Sequence, residues 1–349
     1  MTALALLLPG AIDQRTGGYL YARHLVDALG ARGRAVRVHE LAGRFPAAND
    51  VARGAAAAAL AGLPPGAAAV IDGLALPGFA DCLADEARRL RLVALVHHSL
   101  ALETGLDAAS RRRFAALEAQ LLPLFAGIIC PSRHSAAAVE AHGVARARIA
   151  VVPPGTARPA RPPPHPPHAG KLRLLSVASV TPRKGHLVLV DALARLKALP
   201  WRLTIIGGLG RDPAYVGALR QRIAAHRLGA RVALAGEWPT ARLYRAYAAA
   251  DLFMLASFHE GYGMALAEAM AYALPIVATA AGAIPETVPA SAGILVPPGD
   301  AAALAAALAR VIADRALRRR LGRAAAVAKL PSWDDTARRF ATVCDRLLG

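Results

Sequence analysis

Two glutamates, Glu260 and Glu268, flank a Gly-aromatic-Gly turn and the start of a helix-forming run. In such a turn, backbone N–H groups and the positive end of the helix dipole can bind an anion. Carboxylates beside a site for phosphate alone would repel it, but carboxylates also accept hydrogen bonds from hydroxyl groups. The pattern therefore indicates a ligand that carries both phosphate and hydroxyl groups, such as a nucleotide sugar.

A glycine pair, Gly17-Gly18, follows the first predicted strand and opens the first predicted helix. Without side chains, these residues let the backbone approach a ligand closely, and their N–H groups can contact a phosphate or a sugar. A Gly-Gly turn by itself is more often only a tight connection between a strand and a helix. Because the chain also has the glutamate-flanked turn, we interpret Gly17 and Gly18 as ligand-binding residues.

The stretch from Ser257 to Met270 resembles the paired-glutamate signature of the retaining family-4 glycosyltransferases. Two glutamates at this spacing also occur on solvent-exposed helix faces, so the pair alone has little weight. The flanking residues match the family in the same order, and the resemblance extends over almost the whole chain, with residues 41–85 as its weakest part. The matching segments are Thr16–Tyr19, Ile149–Thr156, Ala249–Leu255, Ala273–Thr279, Gly282–Glu286 and Gly293–Asp300.

The resemblance implies specific contacts with the donor, a UDP- or GDP-linked sugar. Glu268 would bind the ribose hydroxyls, Glu260 the sugar hydroxyls, and the N–H groups of the turn the sugar and the distal phosphate. The base would lie near Gly236–Pro239, although Trp238 could equally pack in the core there. The family usually has Leu-Pro where this chain has Met264-Ala265. The predicted donor-binding turn consists of Gly261, Tyr262, Gly263, Met264 and Ala265.

Lys184 occupies the position at which the family binds the donor diphosphate with a lysine. The family usually has an arginine five residues before this lysine, and here that position is Ser179. Arg183, next to Lys184, is an alternative cation, and two interpretations stay open: it binds phosphate, or it is a solvated loop charge. We predict Lys184 as a catalytic and donor-binding residue, and Arg183 as a donor-binding residue.

His97 follows the predicted strand Leu92–Val96, and a histidine here contacts the donor sugar in the enzymes that the chain resembles. A histidine at a strand end is more often a hydrogen-bonded structural residue, so the assignment depends on the resemblance. Asp13 and Glu103 could deprotonate an acceptor hydroxyl, but no spacing argument selects either. The predicted catalytic residues are His97, Lys184 and Glu260.

The resemblance implies transfer with retention at the anomeric carbon, by a front-face route in which the leaving phosphate helps to deprotonate the acceptor. Negative charge develops on the leaving nucleoside diphosphate, and preorganised cations and N–H groups stabilise it. The sequence has no Asp-x-Asp after a predicted strand and no His/Cys spacing typical of a metal site. We therefore expect no metal ion and no cofactor.

Short apolar runs alternate with longer helical patterns along the chain, which indicates parallel sheets covered on both faces and the α/β class. Doubly wound, Rossmann-like domains of this kind bind ligands at the carboxyl ends of their strands. The resemblance implies the GT-B fold, in which two such domains face each other across a cleft. The predicted strands are Ala3–Leu8, Ala35–His39, Ala68–Ile71, Leu92–Val96, Gly127–Cys130, Leu172–Ala178, Arg202–Ile206, Val232–Ala235, Leu252–Leu255 and Ile276–Thr279.

A proline-rich stretch divides the chain. We predict an acceptor-side domain over residues 1–157, a linker over 158–170 and a donor-binding domain over 171–331. Because proline fixes φ and lacks an N–H group, the linker cannot continue a sheet or a helix and should be extended. The resemblance implies that a last helix, Trp333–Leu348 within residues 332–349, packs back on the first domain.

The formal net charge of the 349-residue chain is +18. Such a charge favours nucleic acid or an anionic membrane surface. The excess is spread, however, because residues 1–170 contain 18 basic and 12 acidic side chains, and residues 171–349 contain 24 and 12. Abundant alanine and arginine are typical of a GC-rich coding bias, and no basic-aromatic nucleic-acid motif occurs. We expect no nucleic-acid partner, and weak contact with a membrane surface stays open.

Three scattered cysteines, Cys82, Cys130 and Cys344, favour a reducing compartment. Residues 1–10 lack a basic start and are interpreted as a buried strand rather than a signal peptide. No run of about eighteen strongly apolar residues predicts a transmembrane helix. We therefore expect a cytoplasmic protein, or one peripheral to the inner face of the membrane.

Two other classes of function stay open beside the glycosyltransferase. A nucleotide-sugar epimerase or a glycosyl phosphorylase could use the same fold; the epimerase would need no acceptor, and the phosphorylase would need pyridoxal phosphate. A basic binder of nucleic acid or membranes would show salt-dependent retention, but it leaves the glutamate-flanked turn unexplained. The favoured function is a retaining, metal-independent glycosyltransferase with an unidentified acceptor.

Overall fold

The computed structural model describes residues 4–103, 105–160 and 170–348. Most of the predicted proline-rich linker, residues 161–169, lies outside the described residues, as does Ala3 of the first predicted strand. The chain divides into two compact units: Met1–Gly155 with Pro331–Gly349, and Thr156–Leu330.

Each unit is built on a six-stranded sheet in which every described pairing of neighbouring strands is parallel. The strands are β1 Leu4–Pro9, β2 Val36–Leu41, β3 Ala68–Asp72, β4 Arg91–Leu95, β5 Gly127–Cys130, β6 Ile149–Val151, β7 Leu172–Val177, β8 Trp201–Ile206, β9 Val232–Leu234, β10 Leu252–Leu255, β11 Ile276–Thr279 and β12 Gly293–Val296. The first sheet has the order β2-β1-β3-β4-β5-β6, and the second has the order β12-β11-β10-β7-β8-β9.

Helices connect the strands of both sheets. They are α1 Gly17–Ala31, α2 Asp50–Ala61, α3 Leu83–Glu86, α4 Ala108–Leu121, α5 Arg133–Glu140, α6 His186–Ala194, α7 Pro213–Ala225, α8 Thr240–Ala249, α9 Met264–Ala271, α10 Ile284–Thr287, α11 Ala301–Ala313, α12 Arg315–Ala326 and α13 Trp333–Leu348. Among the described residues, no helix combines the length and apolar character that crossing a bilayer requires.

The predicted parallel α/β architecture is confirmed, and all ten predicted strands are found within two residues of their expected bounds. Their continuous apolar runs are buried, as in β1 and β10, where every residue is buried. This pattern arises because a parallel sheet carries helices on both faces. Two strands of the structure are not among the ten predicted ones: β6, which lies in the segment Ile149–Thr156 that resembles the family, and β12.

Helix α13 packs within the first unit, although it follows the second unit in the sequence. The ring of its first residue, Trp333, stacks on His24 with centroids 4.7 Å apart and meets Tyr21 edge-on at 5.9 Å. A Cβ atom on Gly155 would lie 2.4 Å from the backbone nitrogen of Trp333. The hydroxyl of Thr336 donates to the carbonyl of Pro153 at 2.9 Å. Glycine at position 155 is therefore a packing requirement for this helix.

Candidate active site

The loop after β7 carries the predicted phosphate-binding lysine. A short 3-10 turn, Pro182–Lys184, ends at Gly185, whose φ of +63° is in the left-handed region. A Cβ atom at Gly185 would lie 2.0 Å from the carbonyl oxygen of Ala256, just after β10. Only glycine fits both restrictions, so this residue holds the lysine loop tightly against the exit of β10.

Lys184 and Glu260 form an ion pair inside this loop cluster. The distance from Nζ of Lys184 to Oε1 of Glu260 is 2.5 Å, and the side chains are 15% and 8% exposed. The Ser257 hydroxyl donates to the same carboxylate oxygen at 2.7 Å. Burial raises the pKa of the Glu260 carboxyl, but the charges of Lys184 and Arg183 and these hydrogen bonds hold it below its ordinary value. The site therefore keeps a buried carboxylate ionised next to an ammonium group.

The backbone of Glu260 is fixed by a second glycine turn. Gly282 has a φ of +57°, and a Cβ atom there would lie 2.3 Å from the carbonyl oxygen of Glu260. The next residue, Ala283, donates its N–H to that same carbonyl at 2.8 Å. The Gly282-Ala283 segment thus fixes the position of Glu260 by contacts with its backbone carbonyl.

Arg183 is mostly buried, with its side chain 19% exposed. Its Nη1 donates to the carbonyl of His259 at 3.0 Å and lies 3.9 Å from Oε2 of Glu260. The interpretation of Arg183 as a solvated loop charge is therefore wrong: the guanidinium faces the same carboxylate as Lys184. Two cations converge on Glu260, although neither occupies the position of Ser179.

The Gly-aromatic-Gly turn leads into α9, as the sequence predicted. Gly263 has a φ of +92° and ends the turn immediately before Met264, the first residue of α9. The carbonyl of Tyr262 accepts a hydrogen bond from the Thr287 hydroxyl at 2.5 Å. Burial raises the pKa of the Tyr262 phenol to about 12, so its hydroxyl stays protonated. The turn from Gly261 to Ala265 is thereby anchored, with the N-terminal end of α9 close to Glu260 in the sequence.

Glu268 lies in the second turn of α9 and contacts a tyrosine of α8. The Tyr247 hydroxyl donates to Oε2 of Glu268 at 2.8 Å, and the Tyr247 ring stacks on Tyr272 with centroids 5.6 Å apart. Burial raises the pKa of Glu268 to about 7, against a smaller lowering by the Tyr247 hydrogen bond. This carboxyl group changes its charge near neutral pH, whereas Glu260 does not.

In the first unit, the structure brings two predicted residues together. Gly18 lies in the first turn of α1, and a Cβ atom there would be 3.1 Å from Cδ2 of His97. The imidazole of His97 therefore lies directly against the glycine backbone. Gly17, which begins α1, follows Thr16 at the N-cap position. Glycine at position 18 leaves room for the ring that follows β4.

His97 is held by three neighbours in the same unit. Its Nε2 lies 3.4 Å from Oδ2 of Asp72, and the Tyr21 ring meets it edge-on at 5.3 Å. The Ser135 hydroxyl donates to the backbone carbonyl of His97 at 3.0 Å. Asp72 also accepts a hydrogen bond from the N–H of Leu74 at 2.8 Å through its other oxygen. Among the described residues, Nε2 of His97 makes no hydrogen bond, so Asp72 lies beside the ring at ion-pair distance only.

Sequence reasoning missed Asp72, Ser257 and Tyr247. Asp72 ends the apolar run of β3 at the carboxyl edge of the sheet, and that placement next to the end of β4 was the available signal. Ser257 stands three residues before Glu260, which is a weak local signal. Nothing near Tyr247 in the sequence pointed to Glu268. Of the two considered bases, Glu103 lies 3.2 Å from Nε2 of His98.

The described residues contain no group of three or more His, Cys, Asp or Glu side chains arranged to hold a metal ion. The positive charges that the structure places beside Glu260 are those of Lys184 and Arg183. The site in the second unit can therefore offer ammonium and guanidinium groups to an anion, and carboxylates to hydroxyl groups.

Comparison with protein families gives two matches that together span most of the chain. The family model described as Glycosyl transferases group 1 matches residues 158–327. The family model described as Glycosyltransferase Family 4 matches residues 16–157. The boundary between the two matches lies close to the boundary between the two compact units.

Among curated proteins, a D-inositol 3-phosphate glycosyltransferase of Nocardia farcinica is 35% identical over 213 residues, covering 56% of this chain and 47% of that protein. The putative colanic acid biosynthesis glycosyltransferase WcaL of Salmonella typhimurium is 37% identical over 147 residues, covering 40% of this chain and 35% of that protein. The matches thus span about half or less of the length of these relatives.

Solved structures share the fold over nearly the entire chain. Sucrose-phosphate synthase of Thermosynechococcus elongatus aligns with a TM-score of 0.82 at 24% identity, covering 99% of both chains. HepE of Anabaena, in complex with UDP and glucose, aligns with a TM-score of 0.75 at 19% identity, covering 99% of this chain and 100% of that one. At these identities the likeness establishes a common architecture.

Proposed function

The chain belongs to the family-4 glycosyltransferases with the GT-B fold, and we propose that it transfers a sugar from a nucleoside diphosphate sugar to an acceptor hydroxyl group. The observation that carries this proposal is the Lys184–Glu260 pair, with its cation and carboxylate on adjoining glycine loops. A diphosphate requires cations, and a sugar requires hydrogen-bond acceptors for its hydroxyl groups. The second unit supplies both within one loop cluster.

The donor is proposed to be a UDP- or GDP-linked sugar. HepE, which shares the fold, has been crystallised with UDP and with UDP-glucose. In the present chain, Glu268 is proposed to bind the ribose hydroxyls, and the turn from Gly261 to Ala265 the sugar and the distal phosphate. A ribose can donate two hydroxyl groups to one carboxylate, which suits a glutamate on a rigid helix.

Catalysis is proposed to depend on charge stabilisation by Lys184, with Arg183 as a second cation. As the bond to the anomeric carbon breaks, negative charge grows on the leaving diphosphate, and a preorganised ammonium group stabilises that charge most in the transition state. In the structure, the Lys184 ammonium group donates a hydrogen bond to Glu260, which holds the lysine in place. When the donor binds, its phosphate would contact the ammonium group together with Glu260. The sugar hydroxyl groups would then donate hydrogen bonds to Glu260.

The mechanism is proposed to be retaining and metal-independent. Lys184 and Arg183 would provide the positive charge that a divalent ion provides in other transferases. The leaving phosphate would help to deprotonate the acceptor by a front-face route, and His97 would contact the donor sugar. The acceptor is proposed to carry a free hydroxyl group, and its recognition is assigned to the first unit.

Calorimetric titration with UDP, GDP and their glucose and mannose derivatives tests the donor, with and without EDTA. We expect one nucleotide series to bind, with the same affinity in EDTA. Lys184→Ala should abolish tight binding, whereas Lys197→Ala, at an exposed lysine of the same unit, should not. Loss of wild-type binding in EDTA contradicts the metal-free claim. Conversion of the donor sugar without any acceptor would favour an epimerase instead.

A further inference from the structure

Tyr247, near the end of α8, is a fully buried tyrosine that the proposed function does not use. Its ring stacks on Tyr272 with centroids 5.6 Å apart, and it contacts the ring of Phe253 in β10 at 5.9 Å. These contacts fix the ring, and they fix the phenol oxygen with it, because that oxygen lies in the ring plane. The Tyr247 hydroxyl is therefore held at one place beside α9.

The fixed hydroxyl group donates a hydrogen bond to Oε2 of Glu268 at 2.8 Å. Burial raises the pKa of the Tyr247 phenol well above its ordinary value, so the hydroxyl group keeps its proton and acts as a donor to the carboxylate. A buried tyrosine hydroxyl needs a hydrogen-bond partner in any case. A role in ligand binding must therefore be argued from the carboxylate that receives the bond.

The two oxygens of the Glu268 carboxylate have different surroundings. Oε2 accepts the bond from Tyr247, whereas Oε1 accepts none from the described residues. The side chain of Glu268 is partly exposed, and Oε1 is not among the buried polar atoms that lack a partner. The last torsion of a glutamate side chain has a broad energy minimum, so a carboxylate on a helix needs a contact to fix its plane. Tyr247 provides that contact at Oε2 and leaves Oε1 to accept from a ligand.

The same hydrogen bond affects the charge of Glu268. Burial raises the pKa of this carboxyl to about 7, and the bond from Tyr247 acts in the opposite direction, because a donor stabilises the ionised form of its acceptor. Without the phenol hydroxyl, Glu268 would be protonated over more of the neutral pH range. A protonated carboxyl accepts hydrogen bonds from hydroxyl groups less well. Tyr247 therefore influences both the orientation and the ionisation of one carboxylate.

We propose that Tyr247 is a positioning residue: its hydroxyl group orients the Glu268 carboxylate toward the ribose hydroxyls and so sets a preference for ribonucleotides over 2′-deoxyribonucleotides. This inference rests on the proposed function, in which Glu268 binds the ribose. Tyr247 acts through Glu268, because its side chain is fully buried and its one hydroxyl proton is donated to Oε2. A 2′-deoxyribonucleotide lacks one of the hydroxyl groups that would donate to this carboxylate, so the two nucleotides together measure that contact.

Calorimetric titration of the full chain with UDP and dUDP, and with GDP and dGDP, tests the proposal at a pH just above the pKa of Glu268. The wild type should bind the ribonucleotide roughly tenfold to a hundredfold more tightly than its 2′-deoxy form, the value of a hydrogen bond to a charged group. In Tyr247→Phe, this ratio should fall to about threefold, the value of a hydrogen bond between neutral groups. A ratio that keeps its wild-type value in Tyr247→Phe would overturn the inference.

Tyr244→Phe is the matched control, and it should keep the wild-type ratio. Tyr244 lies on the same helix, and its ring is 5.9 Å from that of Tyr272, but its hydroxyl makes no hydrogen bond within the described part of the chain. The double variant Tyr247→Phe/Glu268→Gln should have the same ratio as Glu268→Gln alone, because Tyr247 acts through the carboxylate. A further fall in the double variant would show that Tyr247 contacts the nucleotide itself and would contradict the positioning role.

A second readout needs no ligand. Carbon-13 spectra of labelled glutamate carboxyl groups, with the Glu268 signal assigned by its loss in Glu268→Gln, follow the titration of this group. The midpoint should rise in Tyr247→Phe and stay unchanged in Tyr244→Phe, and an unchanged midpoint in Tyr247→Phe contradicts the proposal. The melting temperature of each variant checks that the unit is folded.

The two proposals fail in different ways. A wild type that binds none of the four nucleotides would contradict the proposed function, and the ribose assignment with it. A wild type whose preference for ribonucleotides survives in Tyr247→Phe would contradict only the role of Tyr247.

Discussion

The ammonium group of Lys184 lies 2.5 Å from a carboxylate oxygen of Glu260, and both side chains are largely buried. The proposed phosphate-binding cation is thus held by the proposed sugar-binding acceptor. Removing either residue would leave the other as an unpaired buried charge, which destabilises the folded state. Stability and catalysis therefore have to be separated by choice of variants.

Lys184→Met should lower the free energy of unfolding by about 3 kcal/mol, because it leaves Glu260 buried without its main partner. The double variant Lys184→Met/Glu260→Gln should recover most of that loss, since it removes the charge as well. Transfer should stay low in both, by about a hundredfold or more, because neither has the ammonium group. Denaturant unfolding and initial rates measure the two effects. Recovery of transfer in the double variant would show that Lys184 acts only through stability.

Donor binding should weaken as the pH falls below about 7, because Glu268, whose pKa is raised to about 7, then becomes protonated. A protonated carboxyl accepts ribose hydroxyl groups less well, and the loss should approach tenfold per pH unit. The phosphates of a nucleoside diphosphate sugar are diesters and do not titrate in this range. Calorimetry with the intact donor measures the dependence.

The control for this titration is Glu268→Gln, which should bind more weakly but with a flat pH profile. For folding, the sign is opposite: the folded chain binds this proton more tightly than the unfolded chain does, so Glu268 favours folding at low pH. That contribution is complete below the ordinary pKa of 4.5 and is lost as the pH rises through about 7. A pH-independent donor affinity in the wild type would remove Glu268 from the ribose site.

Arg183→Ala should reduce transfer less than Lys184→Ala does. Arg183 is buried and faces Glu260, but its Nη1 is 3.9 Å from that carboxylate and is also bonded to the carbonyl of His259. Part of its role is therefore to hold the loop. Ser179→Arg, which restores the usual family residue, should keep or raise donor affinity. A larger defect for Arg183→Ala than for Lys184→Ala would move the phosphate site to the arginine.

Gly18→Ala should reduce turnover, because the added methyl group would lie 3.1 Å from the His97 ring and displace it. Gly30→Ala is a matched control in the same helix, since nothing lies within 4 Å of its Cβ position. The control should keep full activity and gain up to about 1 kcal/mol of stability. Initial rates and unfolding curves of the two variants test this prediction. Equal activities of Gly18→Ala and Gly30→Ala would show that turnover tolerates displacement of the His97 ring.

Asp72→Asn should change the tautomer of His97 while keeping the acceptor for the N–H of Leu74. The carboxylate favours a proton on Nε2, whereas an amide NH₂ at the same place would donate to Nε2 and move the proton to Nδ1. Long-range ¹H–¹⁵N spectra of the imidazole detect this change directly, and turnover should fall with it. An unchanged tautomer would show that the 3.4 Å contact does not orient the ring.

The strands and the glutamate-flanked turn could be predicted because their signals are local. A buried run such as Leu252–Leu255 and a turn such as Gly261–Gly263 are specified by consecutive residues. The contacts of Glu268 with Tyr247, and of His97 with Asp72, depend on packing between elements far apart in the chain. No spacing rule encodes such pairs, because the register of helix against helix and loop against loop is set by the whole core.

Arg183 illustrates the same limit in another way. Its neighbours in the sequence are compatible with a loop charge in water or with a buried cation, and burial of the side chain distinguishes them. Gly282 and Gly155 were likewise recognisable only as motif residues. A side chain at position 282 would collide with the carbonyl of Glu260, and one at position 155 would collide with the backbone of Trp333. These contacts explain why both positions carry glycine.

The first unit is assembled from two separate stretches of chain, because α13 joins Met1–Gly155 only after residues 156–330 have intervened. During synthesis on the ribosome, the N-terminal sheet therefore emerges long before α13, the helix that packs against α1. The aromatic surface around Tyr21 and His24 stays exposed until Trp333 has been synthesised and can cover it. The second unit is continuous and meets no such delay. The order of maturation is thus expected to be the reverse of the order of translation, with the domain made first completed last.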